Sequence, residues 1–295
     1  MRQFVITTDN GSDMSSVLAK EIGVDLINLT VNIKNEEYDG VNKIIKPSQL
    51  YDLMKEGEMP TTSQVSPARA EEFFETYLKK DLDIIHVCLS SQISGTYNSC
   101  KIAQDNLKEK YPERKIEIID SLCASMGEGL LIIKSISELK KIPEKSFENM
   151  IEFINNIKHK ICHIFTVGDL VYLQRGGRVS KTEAVIGSMI GIKPILSVDT
   201  NGKLVPIFKV RGRKNSLIKL VDKMEEVIDR ENSDVITISH GSCLDEAKFV
   251  ADLISKKFEP EKIIIEELGP VIGSHAGPGT IAIFSLAKNR LDKPN

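Results

Sequence analysis

Four times between residues 4 and 139 a short apolar run gives way to a segment with helical spacing, and that alternation restricts the chain to the α/β class. The runs are Phe4 to Thr8, Leu26 to Ile33, Asp83 to Leu89 and Lys115 to Asp120, each short enough for a strand. The segments between them are predicted as helices ending near Ile22, Lys55, Glu109 and Leu139, the second opened by Pro47 at its first position. Strands joined through helices pair in parallel, and in such sheets ligands sit outside the carboxyl ends of the strands. The loops after Thr8, Leu89 and Asp120 lie at that edge, and they are the polar ones.

After a further helix, from Pro143 to about Lys158, the pattern changes. Ile161 to Val167 reads as a strand, and the strands Lys193 to Val198 and Lys203 to Val210 flank DTNG, a hairpin turn sequence. Hairpins imply antiparallel pairing. Helices near Arg213 to Arg230 and Cys243 to Lys257 surround a strand at Asp234 to Ser239, with another at Lys262 to Glu266. The expected organisation of the 295 residues is therefore two α/β domains, residues 1–158 on a parallel sheet and residues 159–295 on a mixed or antiparallel one.

A net charge of −3 offers no general attraction to nucleic acid or acidic lipid, so no nucleic-acid partner is expected. The one basic cluster, KVRGRK from Lys209 to Lys214, reads as a solvated loop ahead of a helix. Five cysteines without a C-x-x-C pair argue against a disulfide framework or a thiolate metal site and fit reduced thiols in the cytoplasm. No metal and no cofactor is expected. The apolar core of MRQFVITTD is too short for a signal peptide, and no later run reaches the length of an integral membrane segment.

Two stretches carry the chemistry. Residues 88–99, CLSSQISGTYNS, follow a strand and lead into a helix, with Gly95 permitting close backbone approach and Ser94, Thr96 and Ser99 placing hydroxyls around the first turn. A helix start with free N–H groups and added hydroxyls can hold an anion, although Ser94 as a plain N-cap is the simpler reading. A second hydroxyl-rich loop, TTSQVSP, puts Thr61, Thr62, Ser63, Gln64 and Ser66 ahead of a helix beginning at Pro67 with Ser66 as its cap. Near the carboxyl end, LGPVIGSHAGPGT reads as a rigid glycine- and proline-rich loop with a single imidazole, His275, beside Ser274.

Taken together, TTDNGSDM, TTSQVSP, LSSQISGTYNSC, RGGRVS and GSHAGPGT, in that order along nearly the whole chain, resemble the DegV family of bacterial lipid-binding proteins. The resemblance implies two α/β domains with a long-chain fatty acid held between them. It also implies a non-catalytic role, in which the protein presents the acyl carboxylate to a separate ATP-dependent fatty acid kinase that makes acyl phosphate for phospholipid synthesis. By motif position, Thr62 and Ser94 would hydrogen-bond the carboxylate, with Ser63, Gly95 and Thr96 beside them. Ser274 and His275 would close around the head group, and Arg175 would serve the partner's phosphotransfer. Asn10 and Val65 depart from the family's usual residues.

A carboxylate is acceptor-only, so hydroxyls, backbone N–H groups and an imidazole can satisfy it without a buried lysine. The acyl chain needs an apolar tunnel, for which AVIGSMIGIKPIL, from Ala184, and the apolar faces of the first-domain helices are the candidates. Two alternatives stand beside this reading. One is a lipid or small-anion sensor without a kinase partner. The other is a serine hydrolase with Ser94 as nucleophile and His275 as base, although QISGT lacks the G-x-S-x-G turn. HKICH, His159 to His163, lacks the glutamate of a zinc protease, and no G-x-x-x-x-G-K-[ST] loop is present for ATP.

Overall fold

The computed structural model describes residues 3–180 and 191–292. A four-stranded parallel sheet takes strands β1 (Phe4–Asp9), β2 (Asp25–Ile27), β6 (Asp83–Cys88) and β7 (Ile116–Asp120) in the order β2-β1-β6-β7. A six-stranded mixed sheet follows the order β10-β9-β8-β13-β11-β12. Its strands are β8 (Ile161–Thr166), β9 (Ile192–Val198), β10 (Leu204–Arg211), β11 (Val235–His240), β12 (Lys262–Glu267) and β13 (Ile281–Leu286). The hairpin expected at DTNG joins β9 and β10, antiparallel, and only β11 and β12 pair in parallel.

The single strand expected over Leu26 to Ile33 is two. β2 ends at Ile27 in the parallel sheet, while β3 (Thr30–Ile33) joins a three-stranded antiparallel sheet between β4 (Glu36–Tyr38) and β5 (Thr61–Ser63). The break has a side-chain cause: Asn10 Oδ1 accepts from the backbone N–H of Leu29, and Asn28 turns away to donate to the carbonyl of Gly40. These bonds turn the chain out of the first sheet after Ile27.

The helices are α1 (Ser16–Ile22), α2 (Pro47–Lys55), α3 (Pro67–Leu78), α4 (Thr96–Lys110), α5 (Met126–Lys141), α6 (Phe147–Lys158), α7 (Val171–Arg175), α8 (Arg213–Val227), α9 (Leu244–Phe258) and α10 (Pro270–Ala276). Ser66 caps α3 by accepting from the N–H of Arg69. Helices α3 and α4 cover one face of the parallel sheet, and α8 and α9 cover the outer face of the mixed one. Helix α5 lies between the two sheets and packs on β1 as well as on β8, β11 and β13, so Ile6 and Ile85 share a buried core with Leu130, Phe165 and Phe284. Both sheets are thus sequence-local, one built before residue 121 and the other after residue 160, but their core is common. No helix among the described residues is long and apolar enough to cross a membrane.

Candidate functional site

An apolar cavity lies between the two sheets, with about 70 Å³ open to the centre of a water-sized sphere. Its wall includes Phe165 of β8, Val198 of β9, Leu204 of β10, Phe284 of β13, Leu173 of α7 and Ile93 from the turn after β6. The mixed sheet supplies six of the sixteen lining residues and the helices before residue 159 none, where the sequence pointed to the first-domain helices and AVIGSMIGIKPIL. Residues 184–190 of that stretch lie outside the described residues, and Ile195 of its remainder packs in the opposite core, toward α8.

Two residues, Arg178 and His275, belong both to this cavity and to a polar recess beside it that Thr62, Tyr172, Arg175 and Ser274 also line. At the junction Thr62 Oγ1 and His275 Nε2 are 2.7 Å apart. Strand alternation sets which hydroxyl of the TTSQ loop does this. Thr62 faces the recess, and Ser63 points away to accept from Asn32 Nδ2 at 3.1 Å on the exposed side. Burial, followed by the charge of Arg178, pulls the His275 imidazole down to about 4, so it is neutral at pH 7.

The glycines of RGGR have separate reasons. A Cβ on Gly176 would lie 2.3 Å from His275 Nδ1, so only glycine lets the end of α7 rest on the imidazole. Gly177 has φ +73°, the left-handed region, and turns the chain back. Arg175 is left exposed at the recess, against the sulfur of Met59, while Arg178 is carried inward. The Nε–H of Arg178 donates to the carbonyl of Ile93 at 3.1 Å and its Nη1 to the carbonyl of Gly176. No carboxylate pairs with it among the described residues, and burial lowers its pKa. Arg178 is the site residue that sequence reasoning passed over. Its signal was the spacing of the two arginines around two glycines, which puts them on opposite sides of a reversal.

His275 stands on a helix rather than in a loop. Residues 270–276 form α10, with Pro270 at its first position, His275 in the last turn, and the Ser274 hydroxyl bonded back to the carbonyl of Pro270 at 2.6 Å. At the start of α4 the N-cap is Gly95, not Ser94. Ser94 Oγ accepts from the N–H of Thr96 at 3.2 Å and lies 2.9 Å from its hydroxyl. Thr96 is fully buried and its Oγ1 also accepts from Val65 N, while Gln64 donates to Ser99 and packs over Gly95 so closely that a Cβ there would lie 1.9 Å from its Oε1. Gly95 and Thr96 therefore lock the TTSQ loop to α4. Ser94 lines neither space, although its neighbour Ile93 lines the cavity and holds Arg178. The hydrolase arrangement is not formed, because the Ser94 hydroxyl is engaged with Thr96 and His275 Nε2 with Thr62.

Residues 3–288 match the family described as "Uncharacterised protein, DegV family". A DegV domain-containing protein of Clostridium perfringens is 40% identical over 291 residues, covering 98% of this chain and 99% of its own. A DegV family protein from Thermus thermophilus, whose structure is described as showing fatty acid binding, superposes with a TM-score of 0.84 at 25% identity, over 97% of this chain and all of the other. The Streptococcus pneumoniae Fatty Acid Kinase (Fak) B3 protein, loaded with linoleic acid, shares the fold with a TM-score of 0.82 at 21% identity, over 96% and 99% of the two chains. The chain belongs to the DegV family, and its fold is that of DegV proteins that bind fatty acids.

Proposed function

We propose that this protein binds a long-chain fatty acid and presents its carboxylate to a partner ATP-dependent kinase. The observation that carries the reading is the junction itself: an apolar cavity ends at a neutral imidazole, a threonine hydroxyl and a half-buried guanidinium that has no carboxylate of its own among the described residues. A carboxylate placed there gains charge-assisted bonds from Arg178 and a hydroxyl donor in Thr62. Ser94, named by the family resemblance for the same role, lines neither space and stays bonded to Thr96, so the carboxylate is given to Thr62 and Arg178. The acyl chain fills the cavity, and at roughly 0.8 kcal/mol per methylene a long chain supplies on the order of 10 kcal/mol before the costs of binding.

The kinase half of the reading is supported by the shared fold of the Fak B3 protein and by the position of Arg175, exposed on the recess where a partner can reach it. Its test uses purified protein loaded with fatty acid, a partner fatty acid kinase and ATP. Wild type yields acyl phosphate, Arg175→Ala keeps its ligand and loses most of the yield, and Arg178→Ala loses ligand. A protein that keeps its fatty acid unaltered in the presence of an active kinase is a sensor, and the kinase role is then wrong.

A further inference from the structure

His86 and Cys88 are two apart on β6 and so face the same side of the parallel sheet, toward α3 and α4. Cys100, on the second turn of α4, comes down onto that face. The imidazole and the two sulfurs converge, with one ligand atom from each within 4.8 Å of the others, and all three side chains are completely buried. No sequence motif announced this, because the three positions follow no C-x-x-C spacing and only sheet pleat and helix packing bring them together.

The imidazole is oriented as a metal-binding histidine usually is. Its Nδ1 lies 2.9 Å from the hydroxyl of Thr7 on the neighbouring strand, and the rings of Phe73 and Phe74 pack against it edge-on. Its Nε2, buried, has no hydrogen-bond partner among the described residues. In the tautomer that carries its proton on Nδ1, facing Thr7, Nε2 presents a free lone pair, and a hydrogen bond on the far nitrogen is what fixes ring and tautomer in metal sites. An unpaired buried nitrogen otherwise costs stability.

We propose that His86, Cys88 and Cys100 form a buried binding site for one soft monovalent metal cation, Cu(I). Two sulfurs and an imidazole are the donor set that soft cations take over Mg²⁺ or Ca²⁺. No fourth donor completes the set among the described residues, which suits the low coordination number of Cu(I) better than the four ligands of structural zinc. The bound ion would clip α4 to β6 one turn from Thr96, and so stiffen the helix start that holds the TTSQ loop.

The test is competition for Cu(I) against a chromophoric chelator under anaerobic, reducing conditions. Because the site is closed, the metal is offered both to the folded protein over hours and during refolding from urea. Wild type should withdraw one equivalent and develop thiolate-to-copper absorption in the near ultraviolet. Cys88→Ala and Cys100→Ala should each weaken binding at least tenfold, and Cys123→Ala and Cys162→Ala should leave it unchanged. The variants are checked for folding by circular dichroism, and copper should raise the melting temperature of wild type but not of Cys100→Ala. No copper withdrawn by either route, or an equivalent withdrawn equally by the Cys88→Ala/Cys100→Ala double variant, overturns the proposal.

Discussion

Arg178 spends its Nε–H and Nη1 donors on the carbonyls of Ile93 and Gly176, and neither bond neutralises its charge. Its neighbour His275 responds to that charge and, more strongly, to its own burial. In the ligand-free protein His275 should titrate near 4 by NMR. Arg178→Ala removes the smaller of the two causes, so the value should rise but remain below the ordinary 6.5. A bound carboxylate favours the imidazolium and should move it up as well. A His275 that titrates at its ordinary value in all three states would mean that the junction is open to water. At this scale the sequence disclosed the chemistry but not the partnerships. Thr62 and His275 were legible as polar residues in short motifs, whereas the choice of Thr62 over Ser63 followed from strand pleat, and Arg178 over Arg175 from the direction of a turn.

The junction is assembled from short elements that meet end to end. Strand β5 brings Thr62, α10 brings His275, and α7 with its two glycines sets one arginine inside and one outside. Gly176→Ala tests this packing, since the added methyl must displace the imidazole or move α7. Overpacking of this kind typically costs about 1–3 kcal/mol. Chemical denaturation should show a loss in that range, together with weaker fatty acid retention; an unchanged midpoint and unchanged retention would show that α7 does not rest on His275. The long strands and helices were readable because hydrophobic period and caps determine them locally, as with α2 from Pro47 and α3 behind Ser66. The short ones were not. The three residues of β5 gain their hydrogen bonds from β3, about thirty positions away, and α10 is a helix inside a glycine- and proline-rich stretch whose own propensity argues for a loop.

Across the whole molecule, the two sheets share one core through α5, and that core contains carboxyl groups. Glu128, fully buried on α5, accepts from the Thr8 hydroxyl through Oε1 while Oε2 has no partner among the described residues. Burial, reinforced by the charge of Asp9, holds its pKa well above the ordinary carboxylate range, and burial likewise raises Asp9 to about 6. A folded-state pKa above the unfolded one means that the folded protein holds the proton longer. The contribution to stability is then complete below the unfolded value of about 4.5 and is lost as pH rises through the folded one. Glu128→Gln keeps the acceptor for Thr8 and removes the proton, so the variant should gain on wild type as pH rises from 4.5 toward 8. Denaturation midpoints measured across that range check it; a difference that stays constant with pH would mean that Glu128 is not buried as a neutral acid.

The two-layer alternation along the first half and the hairpin in the second were enough to give the parallel and mixed sheets. The wall of the cavity between them was beyond the sequence, because it combines β8, β9, β10 and β13 with α7 and a turn from the first half, each of which reads locally as ordinary core. Mass spectrometry of an organic extract from the denatured, purified protein shows what that cavity holds. One long-chain fatty acid per chain is the predicted result, recovered in lower yield from Arg178→Ala. An extract that stays empty after incubation with a mixed fatty acid pool would mean that the cavity does not hold an acyl chain.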